Sequence, residues 1–257
     1  MESLKNKIVF ITGASSGIGE ACAKAFAREG AHLLIASRRE ERLRALGASL
    51  SRAHDVRVHS FSLDVRDREA VSRSIDALPE QWRNIDILIN NAGLSRGLDK
   101  IHEGSIPDWE EMIDTNVKGL LYVTRAVLPS MVRRNSGHVI NLGSIAGHQL
   151  YPNGNVYCAT KHAVKALSEG LRMDLLGTNI RVSSVDPGLV ETEFSQVRFH
   201  GDVARAAKTY ENMRPLFADD IAEVILFCAT RPAHVDLAEV IVMPTDQASV
   251  NHVHRGR

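Results

Sequence analysis

Three absences narrow the field before any motif is read. The 257-residue chain has no net charge, because 31 basic residues balance 31 acidic ones. Nucleic acids and anionic membrane surfaces favour a basic excess, so neither is an expected partner. Cysteine is scarce: Cys22, Cys158 and Cys228 are odd in number, lie far apart and form no C-x-x-C pair. That argues against a disulfide framework and fits a reducing compartment. No stretch of about 20 uncharged apolar residues occurs, so no membrane-spanning helix is expected. The opening MESLKNKIVF carries no apolar signal region, and cytoplasmic placement is the expectation. Linkers are missing as well. No Gly/Ser-rich or Pro-rich stretch, repeat or low-complexity segment divides residues 1–257, which read as a single domain.

What is present has a clear rhythm. With 44% hydrophobic and 24% charged residues, the composition is that of an ordinary globule. Short β-branched runs recur at 7–12, 32–37, 56–61, 85–90, 137–143, 179–185 and 239–244, separated by longer stretches of helical periodicity. Continuously apolar strands alternating with helices predict an α/β fold. The expectation is a Rossmann-like, doubly wound parallel sheet of about seven strands flanked by helices. Segment 187–217 stands out as a long loop rich in charges and aromatics. Such loops are often functional, and this one leaves the carboxyl end of the sixth strand, where α/β sheets bind ligands.

After the first strand comes TGASSGIGE, with Gly13, Gly17 and Gly19. Gly13 permits a tight turn, Gly17 lets the backbone approach a ligand, and Gly19 allows close helix–strand packing. The helix that follows, from about Ser16 to Glu29, offers free N–H groups and a positive dipole end to a pyrophosphate. The same residues fit G-x-S-x-G, the nucleophile elbow of hydrolases. That alternative needs a downstream acid and histidine, for which Asp186 with His200 or His234 is the available set. It leaves Gly19 unexplained.

The second strand ends Ala36-Ser37-Arg38-Arg39, without the acid that usually accepts from a ribose 2′-hydroxyl. A guanidinium attracts the 2′-phosphate that a carboxylate would repel. NADP(H) is therefore the expected cofactor, with Ser37, Arg38 and Arg39 around the phosphate. The plainer alternative is that both arginines open a solvated helix with Glu40 and Glu41. Asp64 and Val65, ending the third strand, are placed to line an adenine edge.

VYCATK at 156–161 sets Tyr157 and Lys161 one helical turn apart on one face. Bringing a phenol from pKa about 10 to about 7 takes roughly 4 kcal/mol. A solvent-exposed ammonium at about 4 Å supplies only about 1 kcal/mol, and several times more where the effective dielectric is low. Lys161 can therefore activate Tyr157 only in a partly buried cleft, aided by the positive charge of an oxidised nicotinamide.

With TGASSGIG at 12–19, LDV at 63–65, NNAG at 90–93, TNVKG at 115–119, NLGS at 141–144, YCATK at 157–161 and DPGLVET at 186–192, the chain resembles the short-chain dehydrogenase/reductases over nearly its whole length. The resemblance implies a catalytic set of Asn116, Ser144, Tyr157 and Lys161. Tyr157 would exchange the substrate proton, Ser144 would orient the same oxygen, and Asn116 would hold a relay water for Lys161. Lys161 would also bond the cofactor ribose. The cofactor would further touch Ser15, Ser16 and Ile18 of the glycine-rich turn, then Asn91, Ala92 and Gly93, then Pro187, Gly188, Val190 and Thr192. Asn90 and Gly93 would shape the turn beside it. A homotetramer built partly through the helices containing 108–134 and 155–176 is also implied, Ala159, Ala163 and Gly170 allowing close packing.

Segments 78–94, 112–129, 154–161 and 192–202, with the tail HVHR at 252–255, are similar to NADP-dependent 3-hydroxy acid dehydrogenases. This likeness implies a small substrate such as serine, L-allo-threonine, 3-hydroxypropionate or the matching semialdehyde. A carboxylate needs a cation, and Arg198 is the first candidate, with Arg205 and Lys208 behind it. The alternatives are a reductase of bulkier ketones or 3-oxoacyl thioesters, and a non-catalytic NADP(H) sensor, which would be expected to lose Tyr157 or Lys161. His252 and His254 lack a neighbouring carboxylate or cysteine and read as surface residues, so no metal is expected. Cys158 reads as a small packing residue.

Overall fold

In the structure, a computed structural model describing residues 2–256, all seven apolar runs become strands. They are β1 (Ile8–Thr12), β2 (His32–Ser37), β3 (Val58–Ser62), β4 (Ile87–Asn90), β5 (Gly137–Leu142), β6 (Ile180–Pro187) and β9 (Glu239–Val242), with the two-residue β7 (Val190–Glu191) and β8 (Leu216–Phe217) between the last two. The sheet runs β3-β2-β1-β4-β5-β6-β9 and every pairing is parallel. Alternate residues feed two cores. Val9, Ile11, Leu33 and Ile35 point to one face, while Ile8, Phe10, Leu34 and Ala36 point to the other. This is why β1, β2 and β4 are buried throughout and mostly apolar, whereas the edge strands β3 and β9 are only half-buried.

The helices α1 (Gly17–Arg28), α2 (Glu40–Ala53), α3 (Arg68–Asp76), α4 (Ile106–Ile113), α5 (Leu120–Arg134), α6 (Asn155–Asp174), α7 (Phe194–Arg198), α8 (Val203–Lys208) and α9 (Ala218–Ala229) follow in chain order. Residues of α1, α2 and α9 cover the first face, and residues of α3, α5 and α6 the second. Several starts follow simple capping rules: Asp67 accepts from Ala70 N, Ser105 from Asp108 N, and Asp202 from Arg205 N. The order reverses between β1 and β4, whose connections leave in opposite directions. The carboxyl ends of these strands therefore bound a crevice.

Two segments depart from the sequence reading. The helical run 108–134 is broken by a π-helical turn at Asp114–Gly119, where the Asn116 side chain bonds the backbone of Leu94 instead of facing solvent. Such turns cluster at functional sites. Segment 187–217 is not a structureless loop. It holds α7, α8 and the parallel pair Val190↔Leu216 and Glu191↔Phe217, pieces too short to show periodicity in sequence.

Gly19 shows how tightly the first turn is packed. A Cβ there would overlap Asn91 Nδ2 and lie 2.5 Å from Gly13 O, in the place where Asn91 ties β4 to β1. Overpacking of this kind costs about 1–3 kcal/mol. Gly19→Ala is expected to lower the midpoint of thermal unfolding by several degrees, measured by circular dichroism; an unchanged midpoint would contradict this packing.

Candidate active site

A cleft of about 550 Å³ opens at the carboxyl ends of the central strands. At one end the glycine-rich turn takes positive φ at Gly13 (+67°) and Gly17 (+54°), and α1 starts with Ser16 as an N-cap that makes no side-chain capping bond. The first N–H groups of α1 thus lack a side-chain acceptor, which suits an anion. Ser15, Ser16 and Ile18 line the cleft beside the two glycines. Gly19 does not. It packs closely behind the turn, the role its place in the motif gave it, and its missing side chain faces Asn91 and not the opening.

Arg39 lies across this turn. Its Nε donates to Ser15 Oγ at 2.9 Å, Nη2 donates to Ser16 Oγ, and Nη1 donates to Glu193 Oε2 at 2.6 Å. Arg42 holds the other oxygen of Glu193 at 2.7 Å. Hydrogen bonds from both arginines hold that carboxyl down to about 2. Arg38, expected to act with Arg39, instead leans on Glu111 at 3.7 Å while still lining the cleft with Ser37. Asp64 and Val65 line the neighbouring wall. Arg66 grips Asp64 with Nη2 at 2.6 Å, and this bond keeps the carboxyl below its ordinary range. Thr115, which the sequence reading passed over, places a buried hydroxyl without a hydrogen-bond partner in the same wall.

The opposite end collects the reactive side chains. Ser144, Tyr157 and Lys161 line it, and Asn91, Ala92, Gly93, Pro187, Gly188, Val190 and Thr192 line the cleft as well. Ser144 follows β5, and its Oγ accepts from Ala146 N at 3.1 Å. Tyr157 is buried. Desolvation pushes its phenol up, against the opposing pull of the Arg198 charge and a hydrogen bond from Ser144. Lys161 is buried too; Nζ donates to Leu142 O at 2.7 Å. Burial lowers its ammonium to about 8, with Asp186 the charge that opposes this. Two cations flank the phenol: the Arg198 guanidinium lies 5.3 Å from its ring centre and Lys161 Nζ 6.0 Å.

Asn116 does not line the cleft. Both of its amide hydrogens are committed, to Leu94 O (2.8 Å) and Thr160 Oγ1 (3.0 Å), while Oδ1 accepts from Leu94 N. Asn90 likewise does not shape the turn. It ends β4, where its amide bonds Thr124 Oγ1 and Asn141 Oδ1, both at 2.9 Å. Asn141 in turn reaches Ser168 of α6. Gly93 does sit at the turn, where a Cβ would come within 3.2 Å of Asn116 Oδ1.

Arg198 is 9% exposed, and its guanidinium stacks 5.2–5.9 Å from the ring centres of Phe194, Tyr157 and Tyr151. Nη2 donates to Tyr151 Oη at 3.0 Å, while Nε has no partner. No carboxylate pairs with it among the described residues. Arg205 and Lys208 do not reach the cleft; Arg205 stacks on Phe199. Arg255 of the tail lines it instead, anchored on the carbonyls of Thr209 and Glu211. The hydrolase alternative finds no triad. Ser15 accepts from Arg39, Asp186 pairs with His148, and His200 pairs with Asp108. His252 bonds Ser249, and no described helix is long and apolar enough to cross a membrane.

Comparison with known proteins agrees with this geometry. The family described as short chain dehydrogenase matches residues 7–202. The NADP-dependent 3-hydroxy acid dehydrogenase YdfG of Salmonella typhi is 51% identical over 250 residues, covering 96% of this chain and 99% of that protein. The NADP-dependent 3-hydroxy acid dehydrogenase of Schizosaccharomyces pombe is 45% identical over 256 residues, covering 99% of each. The closed form of a serine dehydrogenase complexed with NADP+ superposes with a TM-score of 0.92 at 47% identity, covering 95% of this chain and 97% of that one.

The Lys161 environment has a thermodynamic signature. Because folding lowers its pKa from 10.5 to about 8, the unfolded chain binds the proton more tightly. The resulting penalty is full below pH about 8 and is relieved as pH rises toward 10.5. It amounts to about 3 kcal/mol. Relative to Lys161→Met, the wild-type protein is expected to gain about 2–3 kcal/mol between pH about 7 and about 10, read from denaturant midpoints. A difference that does not change with pH would contradict the burial.

Proposed function

Because the chain belongs to the short chain dehydrogenase family, we propose that it transfers hydride between NADP(H) and a small 3-hydroxy acid or the corresponding semialdehyde. The observation that carries the substrate class is Arg198, a buried guanidinium facing Tyr157 across the cleft without an acidic partner. An unpaired buried charge is costly to a fold. A substrate carboxylate would pair with it and set the neighbouring hydroxyl against Tyr157 and Ser144. The names of the relatives, several of them 3-hydroxy acid dehydrogenases, support the same class.

The residues fit the cofactor. The uncapped start of α1 with Gly13, Ser15, Ser16, Gly17 and Ile18 would hold the pyrophosphate. Ser37, Arg38 and Arg39 would hold the 2′-phosphate, Arg39 foremost. Asp64, Val65 and Thr115 would border the adenine, and Asn91 to Gly93 with Pro187, Gly188, Val190 and Thr192 the nicotinamide half. When bound, the nicotinamide supplies the hydride acceptor or donor. Tyr157 takes the hydroxyl proton in oxidation and returns it to the carbonyl oxygen in reduction. Ser144 shares that oxygen and fixes its direction. Lys161 supplies positive charge to the phenolate and a donor to the ribose. Asn116 braces the π-helical turn against Leu94, which keeps Gly93 beside Lys161.

We read 1–257 as one domain in which 187–217 is the substrate-binding segment and α7 carries the carboxylate anchor. A homotetramer assembled through α5 and α6 fits the outward apolar side chains of Leu121, Val132, Met173 and Leu176 and the open space above Gly170. Cytoplasmic placement fits three free, buried cysteines.

Following nicotinamide absorbance with NADP+ or NAD+ and a panel of 3-hydroxy acids and neutral alcohols tests the whole reading. Turnover is expected with NADP+ and the acids; activity confined to bulky neutral ketones would overturn the substrate class. Arg198→Ala is expected to raise KM for the acids about 10- to 100-fold, the worth of one charged hydrogen bond, and to spare neutral alcohols. Tyr157→Phe is expected to lower kcat by about 10²-fold or more with NADPH affinity, read by fluorescence, unchanged.

A further inference from the structure

Asp64 and Glu193 are the carboxylates that line the cleft among the described residues. Arg66, two residues along the chain, holds the first. Glu193 is held from far away in sequence: Oε2 accepts from Arg39 Nη1 at 2.6 Å and Oε1 from Arg42 Nη1 at 2.7 Å. Each oxygen thus serves one guanidinium. The proposed mechanism gives Arg39 to a phosphate and leaves Glu193 without a part.

The other nitrogens of Arg39 are also engaged. Nε donates to Ser15 Oγ at 2.9 Å and Nη2 donates to Ser16 Oγ. A guanidinium binds a phosphate best through two parallel N–H donors, so an arriving phosphate has to displace a partner. Of the three partners, only Glu193 carries a charge. A serine hydroxyl can turn and donate to an anion, whereas a carboxylate only accepts and repels a second negative group. Glu193 is the partner that has to yield.

The surrounding chain keeps that displacement local. Thr192 lies against the glycine-rich turn, where a Cβ on Gly17 would come 3.3 Å from Thr192 Cβ. Thr192, Glu193, Phe194 and Ser195 all line the cleft. The far end of α7 is fixed independently. Arg96 Nε donates to Glu111 Oε2 at 2.7 Å, its Nη1 donates to Val197 O, and Gly97 N donates to Arg198 O at 2.9 Å. Releasing Glu193 frees the start of α7 and leaves Arg198 anchored.

We propose that Glu193 is a specificity-determining residue for the cofactor, an internal anion that occupies Arg39 and Arg42 until a 2′-phosphate replaces it. Together the three groups carry one net positive charge. With Glu193 turned away, two guanidinium groups face a phosphate monoester close to doubly charged near neutral pH. A ribose without that phosphate brings no charge to exchange, so the Glu193 pairs persist. Glu193 therefore narrows the affinity gap between phosphorylated and unphosphorylated ligands. The pairs are about half-exposed, so the effect is moderate and is screened by salt.

This inference rests on Arg39 holding the 2′-phosphate, and the experiment separates the two. Calorimetric titration of the unliganded protein with 2′,5′-ADP and with 5′-AMP gives an affinity ratio that reports the 2′-phosphate alone. Glu193→Gln removes the charge and keeps the shape. It is expected to raise that ratio about 3- to 10-fold at low ionic strength. The gain should shrink toward nothing at about 0.5 M salt, and in an Arg39→Gln background most of it should be lost. A purely structural role would move both ligands together and leave the ratio in place. An unchanged or lower ratio in Glu193→Gln would overturn the inference. A wild-type ratio near one, unmoved by Arg39→Gln, would instead sink the phosphate site and the inference with it.

Discussion

Desolvation at the cleft is the constraint on which the other features depend. Tyr157 and Lys161 are both 8% exposed and Arg198 9%, so a phenol and two cations share a space almost closed to water. Burial opposes charge on Tyr157 and Lys161, raising the phenol and lowering the ammonium. In water none of these groups would influence another by much more than about 1 kcal/mol. Here each acts strongly on its neighbours, and the protein has to hold cations in a place that disfavours them.

The architecture answers that demand with neutral partners. The Leu142 carbonyl accepts a hydrogen bond from Lys161, the Tyr151 hydroxyl accepts one from Arg198, and aromatic faces cover the guanidinium. Rigid ties keep these partners in place. Asn90, Asn141, Ser168 and Thr124 join β4, β5, α6 and α5 in one buried network. Asn116 clamps Leu94 to Thr160 from a π-helical turn. At the other end of the cleft Arg39 and Arg42 hold Glu193, so the start of segment 187–217 is fastened to the glycine-rich turn. The glycine-rich turn and segment 187–217 are therefore linked through one exposed ion-pair cluster.

Much of this was legible in the sequence because it is local. Seven apolar runs became seven strands of one parallel sheet, and Tyr157 and Lys161 share a helix face because four residues make one turn. What required the fold was long-range. The sequence offers Arg38 and Arg39 as equals, but only the course of Thr192–Glu193 across the turn selects Arg39. Nothing local marks Asn90 as a cross-strand tie or Thr115 as a wall residue. Arg198 was identifiable as a cation in a long segment. Its burial against three aromatic rings depends on α7, a five-residue helix without detectable periodicity.

The most direct test of the central claim is a near-ultraviolet titration of tyrosinate, taken as wild type minus Tyr157→Phe, with and without NADP+. Burial keeps the Tyr157 phenol protonated in the unliganded protein, so no difference signal should form below pH about 10. With NADP+ bound, the added positive charge should bring the midpoint down by more than about one unit. A phenolate forming near neutral pH without ligand would show that Lys161 and Arg198 suffice against desolvation. That result would contradict the account.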